Sequence, residues 1–333
     1  MKELQAILDA WIAIGGGPSV LATVVETSGS TYRRSGARML LTRDRWVAGC
    51  VSGGCVESDL MQTAWERTAN GPVLVTYDTS ADTDIIWGLG LGCNGTVTVL
   101  LERLSPADEG LLLLGACLKA RESCVIATVI SEGANLGKRS VIGPLSASVD
   151  ASIMAWPTDT LPREGYEIRE SETGRILIEC IQPSLKLVIC GAGHDAMPLV
   201  RFAKELGWYV VVVDRREAFA TRDRFPTADE VVAADPVDFP HKVPLDDRTW
   251  VVVMTHNYLN DRAILEQLSP SPVPYIGLLG PRARTERLLS ELERDALIRR
   301  LHGPVGLNIG AQGPEEIALS IVAEIQALKT VKS

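Results

Sequence analysis

The stretch GCVSGGCVE at residues 49–57 sets two thiols and three glycines within nine positions. Glycine puts no side chain over its neighbours, so a cysteine beside Gly53 and Gly54 can be approached by a bulky partner. Cys55 falls where this loop becomes a helical pattern, and a thiol at a helix N-terminus has its pKa lowered because the dipole favours thiolate. Cys93, in GLGLGCNG at 88–95, is likewise held among glycines ahead of a strand pattern. Two such thiols suit soft-metal or sulfur chemistry. The alternative is that both are small buried fillers, the usual fate of an intracellular cysteine; the glycine flanks favour the first reading. Cys50, inside the strand pattern WVAGCV, reads as a filler. The spacing of Cys50, Cys55 and Cys93 lacks the paired short intervals of a structural zinc site.

A second constellation follows the apolar run LKLVIC. It reads Gly191-Ala192-Gly193-His194-Asp195-Ala196, then a helical pattern, then a strand ending at Asp214. This is GxGxxA between strand and helix with an acid at the position that accepts a ribose hydroxyl, the signature of a Rossmann unit. Gly191 and Gly193 would let backbone approach a phosphate at the helix N-terminus, and the ligand would be NAD(H) or another nucleotide. An acid at Asp214 repels a 2′-phosphate, so the unphosphorylated dinucleotide is expected, an inference weakened by Arg215 and Arg216 beside it. The bland alternative is a domain that keeps the turn for packing and binds no dinucleotide. His194 and His256 lie just past strand ends, where ligands of such sheets collect; each could contact a ligand or simply pair with backbone. Residues 133–139, GANLGKR, resemble a phosphate loop but are one residue short and carry Arg139 where Ser or Thr must hold magnesium, so they read as a turn. The glycines at 15–17 follow a helical pattern and read as its cap.

The elements that must position these residues divide the chain in three. Residues 1–105 read as a compact α+β unit: a helix at about 2–13, strands in VLATVVE, ARMLLT, WVAGCV, VLVTYD and TVTVLLE, and a helix over about 56–69 with Val56, Leu60, Met61, Ala64 and Trp65 on one face. Residues 106–183 hold one apolar helix around LLLLGACL and short strands such as CVIATVI and RILIEC, read as a connecting layer. From 184 to 333, buried apolar strands alternate with helices, which predicts a doubly wound parallel sheet. The fold class is therefore α/β, an N-terminal α+β domain joined to a C-terminal Rossmann-like sheet. Ligand would gather in a cleft between the outer two regions, with Cys55 and Cys93 near the 191–196 turn.

Composition narrows the partners. The 333 residues carry 33 basic against 42 acidic side chains, a net charge of −9, which disfavours nucleic acid and anionic membrane as partners. No run approaches a membrane span, and the opening MKELQAILDAWIAIGGG lacks the pattern of a signal peptide. Seven scattered cysteines fit free thiols in a reducing cytoplasm.

At these residues the sequence resembles the XdhC/CoxI family, accessory factors of xanthine dehydrogenase and related molybdenum hydroxylases. The resemblance runs through GSTYRRSGARML, GCVSGGCVE and GLGLGCNGTV, then VICGAGHDA, VVMTHNYLNDRAIL, PYIGLLGPRAR and GPVGLNIGAQGPEEIALSIVAEI. It implies a cytoplasmic, homodimeric chaperone and insertion factor with no turnover of its own. Such a protein binds molybdenum cofactor, as molybdopterin or its dinucleotide form, received from cofactor-synthesis proteins. It protects the cofactor while a cysteine desulfurase installs the terminal sulfur, then hands it to an apo molybdenum hydroxylase. Cys55 and Cys93 match the family's cysteines and would be the soft ligands that approach the molybdenum. Tyr32, Cys50 and Asn308 depart from the residues more usual in the family, proline, serine and aspartate respectively. The rival reading is an NAD-dependent oxidoreductase working through Gly191, Gly193 and Asp214, with His194 or His256 as its acid or base.

Overall fold

The computed structural model describes residues 2–15, 17–78, 95–144, 153, 157–292 and 295–331. The chain divides into two compact units, Met1–Pro183 and Ser184–Ser333.

The first unit opens with α1 (Lys2–Ala13), whose Leu4, Ile7, Leu8 and Trp11 recur at helical spacing and are buried. A five-stranded sheet follows, made of β1 (Ser19–Gly29), β2 (Arg38–Leu41), β3 (Trp46–Gly49), β4 (Val73–Asp78) and β5 (Gly95–Leu104) in the order β3-β2-β1-β5-β4. Every pairing in it is antiparallel. The helix α2 (Cys55–Arg67) lays Val56, Leu60 and Ala64, with Met61 and Trp65 beside them, against Val24, Met39 and Val99 of one sheet face. On the other face Leu21 and Leu40 pack with α1 and with α3 (Glu109–Lys119). Asp108 caps α3, its Oδ1 accepting from the Leu111 N–H at 2.9 Å.

A second sheet, β6 (Cys124–Val129), β7 (Arg139–Ile142), β8 (Tyr166–Ser171) and β9 (Gly174–Ile181), runs β7-β6-β9-β8. The GANLGKR segment is the turn that leads into β7. Residues 106–183 are bound into the first unit by more than shared core. Arg38 of β2 forks onto Glu179 of β9, Nη1 to Oε1 at 3.1 Å with a second, shorter contact from Nη2, and both side chains are almost fully buried. Arg139 of β7 likewise meets Glu102 of β5 out of water, and Arg175 reaches Glu26 at 2.7 Å nearer the surface.

The second unit is a six-stranded parallel sheet of β10 (Lys186–Cys190), β11 (Tyr209–Asp214), β12 (Glu230–Ala233), β13 (Thr249–Val253), β14 (Tyr275–Leu278) and β15 (Leu301–His302). Its order, β12-β11-β10-β13-β14-β15, is the dinucleotide-fold order, which reverses between β10 and β13. Strands covered on both faces read as continuous Val and Ile runs. One face packs under α4 (Ala196–Glu205) and α9 (Pro314–Val331); the other lies under α5 (Phe239–Lys242), α6 (Tyr258–Leu268) and α7 (Arg282–Leu292), with α8 (Asp295–Ile298) following. Between β11 and β12 the crossover is made of turns instead of a helix. Among the described residues no helix is long and apolar enough to cross a membrane.

The buried Arg38–Glu179 pair allows a clear test. Glu179→Ala leaves a guanidinium in the core without its partner and is expected to lower stability by about 3–5 kcal/mol, whereas the double change Arg38→Met with Glu179→Leu recovers most of it. Urea unfolding of the two variants measures this; a double variant no more stable than Glu179→Ala alone refutes it.

Candidate functional site

The cysteine loop owes its shape to a residue that follows it. Glu57, in the first turn of α2, is 1% exposed. Its Oε1 accepts from the Val51 N–H at 2.9 Å and the Ser52 N–H at 2.6 Å, while Oε2 accepts from the Gly54 N–H at 2.9 Å and from the Ser52 hydroxyl. Gly54 caps the helix at φ 125°, a conformation closed to other residues, and a Cβ there would meet nothing within 4 Å. Conformation, then, and not crowding, calls for this glycine. Cys55 is the first residue of α2. Burial pushes the Glu57 carboxyl up, but the Ser52 hydroxyl and the loop N–H groups outweigh it and hold the group below its ordinary value. Sequence reading overlooks Glu57, although an acid three residues after the cap is the capping-box position.

Cys50 sits just past β3, which ends at Gly49, and so lies outside the strand in which its pattern placed it. It is half-buried; Glu3 Oε1 accepts from its N–H at 2.9 Å and from its Sγ at 3.3 Å. Burial and the neighbouring Glu3 carboxylate raise its pKa, which makes it a poor nucleophile. Cys117, Cys124 and Cys190 are buried, and the Cys124 thiol is pushed up to about 12 by burial and by Cys117. Cys93 lies outside the described residues. Among those residues no cluster of three or more His, Cys, Asp or Glu side chains is placed to hold a metal ion.

In the second unit the glycine turn sits at the reversal point of the sheet. Gly191 has φ 124°, and a Cβ there would stand 2.4 Å from the Met254 carbonyl oxygen, so this glycine is required for the turn to cross the end of β13. Gly193 is open: a Cβ would meet nothing nearer than His256 Cδ2 at 4.0 Å. Asp195 caps α4 without a side-chain cap bond and instead faces His256, Oδ2 to Nε2 at 3.1 Å. His256 holds φ 56°, rare for a residue with a Cβ. Its loop is tied by Asp261, 0% exposed, which accepts from the Thr255 hydroxyl and from Arg284. His194 is exposed. Asp261 is a second residue that sequence reading misses; the polar run THNYLND is its only signal.

Asp214 ends β11 as its spacing predicts, but its carboxylate is already engaged. Oδ2 accepts from the Ala192 N–H at 2.8 Å and from Arg216 Nη2 at 2.7 Å; Oδ1 accepts from the Arg216 N–H and Nε, both at 2.9 Å. Burial raises its pKa, and Arg216 with the Ala192 N–H more than reverses this. Arg216 also lies 3.9 Å over the Phe219 ring. A ribose hydroxyl expected at Asp214 must therefore displace the Arg216 fork. The cavity here, about 150 Å³, is lined by Cys190, Asp214, Arg215, Ala234, Thr255 and Asn257 and has room for part of a nucleotide.

Order of strands, glycine turn and strand-end cavity define a Rossmann-type unit joined to an α+β unit that carries a glycine-held cysteine loop. Residues 187–325 match the model of the XdhC Rossmann domain, and residues 14–78 match that of the XdhC and CoxI family. The chain is similar to a protein of Bacillus subtilis (strain 168) named as a probable component of xanthine dehydrogenase, 35% identical across 98% of this chain and 97% of the relative. It is also similar to the molybdenum cofactor insertion chaperone PaoD of Escherichia coli (strain K12), 26% identical over 95% of this chain and 85% of that one. A crystal structure described as a xanthine dehydrogenase from Bacillus halodurans superposes with a TM-score of 0.81 at 33% identity, covering 98% of this chain and 97% of that one. The chain belongs to the XdhC/CoxI family.

The depressed Glu57 carboxyl makes the loop pH-sensitive with a definite sign. A carboxyl whose folded pKa lies below its unfolded value, here about 4.5, contributes stability that is fully present above 4.5 and lost as pH falls through the folded value. Glu57→Gln is expected to be less stable than wild type at pH 7, with the gap narrowing below about pH 4.5. Urea midpoints measured across that range test it, and a gap that stays constant with pH would show that Glu57 is not the group responsible.

Proposed function

We propose that the chain binds molybdenum cofactor as cargo and serves as an accessory factor for a xanthine dehydrogenase-type molybdenum hydroxylase. In this reading it takes the cofactor, as molybdopterin or its dinucleotide form, from the proteins that make it. It shields the cofactor while a cysteine desulfurase supplies the terminal sulfur, and releases it to the apo-hydroxylase. It acts in the cytoplasm as a homodimer. The observation that carries the reading is the cysteine loop: a cysteine as the first residue of a 13-residue helix, after two glycines, on a backbone gathered by a buried carboxylate.

The chemistry follows from softness and access. The cofactor supplies a molybdenum already bound by sulfur, and a thiolate is the side-chain ligand suited to it. The dipole of α2 favours that thiolate, and glycine at 53 and 54 leaves the backbone before it bare. Cys93 is the second proposed ligand. The names of the two relatives matched over most of their length, a dehydrogenase component and an insertion chaperone, support a role beside such an enzyme. In the second unit the strand-end cavity offers a place for NAD(H) or another nucleotide. With Asp214 held by Arg216 and His256 facing Asp195, the oxidoreductase reading is less supported than the carrier reading.

Cys55→Ala and Cys93→Ala are each expected to lower the molybdenum retained by protein purified from a cofactor-producing host, and to reduce activation of a partner hydroxylase. Thermal melting should stay near wild type, because a loop thiol open to a ligand contributes little packing. Both thiols should also be alkylated faster than buried Cys117 and Cys190, and bound cofactor should protect them. Full molybdenum loading in both variants would rule out the thiol mechanism.

A further inference from the structure

The first unit contains a second cavity, of about 500 Å³, on the side of the cysteine loop formed by α1 and the 29–36 turn. Its charged lining is Glu3, Arg33, Arg34, Arg38 and Glu179, with Tyr32 and Tyr166 beside them. Each acid there is covered by a guanidinium: Glu3 accepts from Arg33, and Glu179 from Arg38. Arg34 is exposed and, among the described residues, has no ion pair or hydrogen bond from its side chain. The lining therefore carries one cation in excess. Two aromatic rings also face solvent at this cavity, Tyr32 at 68% exposure and Tyr166 at 42%. A large ring left uncovered beside an unpaired guanidinium is the arrangement that takes a flat anion, by stacking on the ring and a forked contact to the charge.

The cavity and the cysteine loop share walls. A Cβ on Gly53 would stand 3.8 Å from Tyr32 Cγ, so the tyrosine ring lies against the glycine that precedes Gly54 and Cys55. Glu3 joins the two as well, accepting from Arg33 on one side and from the Cys50 N–H on the other. The turn is pinned at its far end by Gly36, at φ 90°, where a Cβ would press within 2.5 Å of Glu179 Oε1.

We propose that this cavity binds a flat, anionic heteroaromatic, its ring stacked on Tyr32 and its acid group on Arg34. In this protein the ligand is the pterin end of the cofactor whose metal faces the cysteine loop. The assignment rests on the carrier reading above and adds to it the residues that recognise the organic part of the cargo. A nucleotide offers similar chemistry, a flat ring with a phosphate, and the test separates the two.

The probes are pterin-6-carboxylate, followed by its own fluorescence, and AMP, followed by calorimetry, on the full chain without cofactor. Wild type is expected to bind the pterin more tightly than AMP. Arg34→Gln and Tyr32→Ala should each weaken pterin binding by about tenfold or more, the scale of a lost charge-assisted contact. Tyr32→Phe should restore it, and Arg282→Gln, on an exposed helix face of the other unit, should leave it unchanged. All these side chains are exposed, and thermal melting checks that the variants fold. Pterin binding indifferent to both Tyr32 and Arg34, no pterin binding by wild type, or tighter AMP binding with the same dependence on Arg34 each overturns the assignment. Molybdenum content of wild type purified from cofactor-producing cells separates this from failure of the carrier reading. Molybdenum present without Tyr32 and Arg34 dependence sinks only the pterin site, whereas neither molybdenum nor pterin bound sinks both.

Discussion

A carboxylate removed from water has to be matched by donors, and in this protein several of those donors lie on loops. Glu57 gathers the N–H groups of Val51, Ser52 and Gly54. Asp214 holds the Ala192 N–H in the glycine turn. Asp261 fixes Thr255 beside the left-handed His256. Glu324 of α9 accepts from the Tyr275 hydroxyl at 2.6 Å and the Gly306 N–H at 3.0 Å, tying down the loop after β15. Each acid comes from a helix or strand with a packed apolar face, and each loop also sends an apolar residue into the core, Val51 in the first unit and Ala192, Met254 and Val305 in the second.

The same device explains why the glycines are unequal. Gly191 and Gly306 are demanded by crowding, since a Cβ at either would press on Met254 backbone or on Ser320. Gly53, Gly54 and Gly193 have room around them. Room beside a backbone already held by a carboxylate or by packing leaves an approach for something else. In the first unit the open glycines directly precede Cys55, and in the second Gly193 lies beside His256.

Much of this is legible in the sequence because it rests on periodicity. The Val-rich runs of β10, β11 and β13, the apolar face of α2 and the proline and paired acids that open α9 are local signals, and the elements lie where those signals put them. β8, β12 and β15 carry no such signal: they are short, or half-buried with mixed polarity, and exist because a neighbour strand pairs with them. The bond between Arg38 and Glu179 spans 141 positions, and no local pattern carries it. Residues 106–183 read as a connecting layer for that reason. Their attachment to the first sheet is made by long-range ion pairs and shared core.

Asp214 shows where motif reading stops. Spacing from the glycines locates the acid at the end of the second strand of the unit, and the structure has it there. What the acid does depends on which donor reaches it first, and the residue two positions on, Arg216, reaches it with a fork and its own N–H, backed by the Phe219 ring. A carboxylate so filled acts as a brace between β11 and the glycine turn, and its charge is largely spent within the protein. Among the described residues the neighbouring Arg215 has no ion pair; it is exposed and lines the cavity. The acid that in a sequence motif argues against a 2′-phosphate is here neutralised by its neighbour, so its presence in the motif does not by itself carry that argument in this chain.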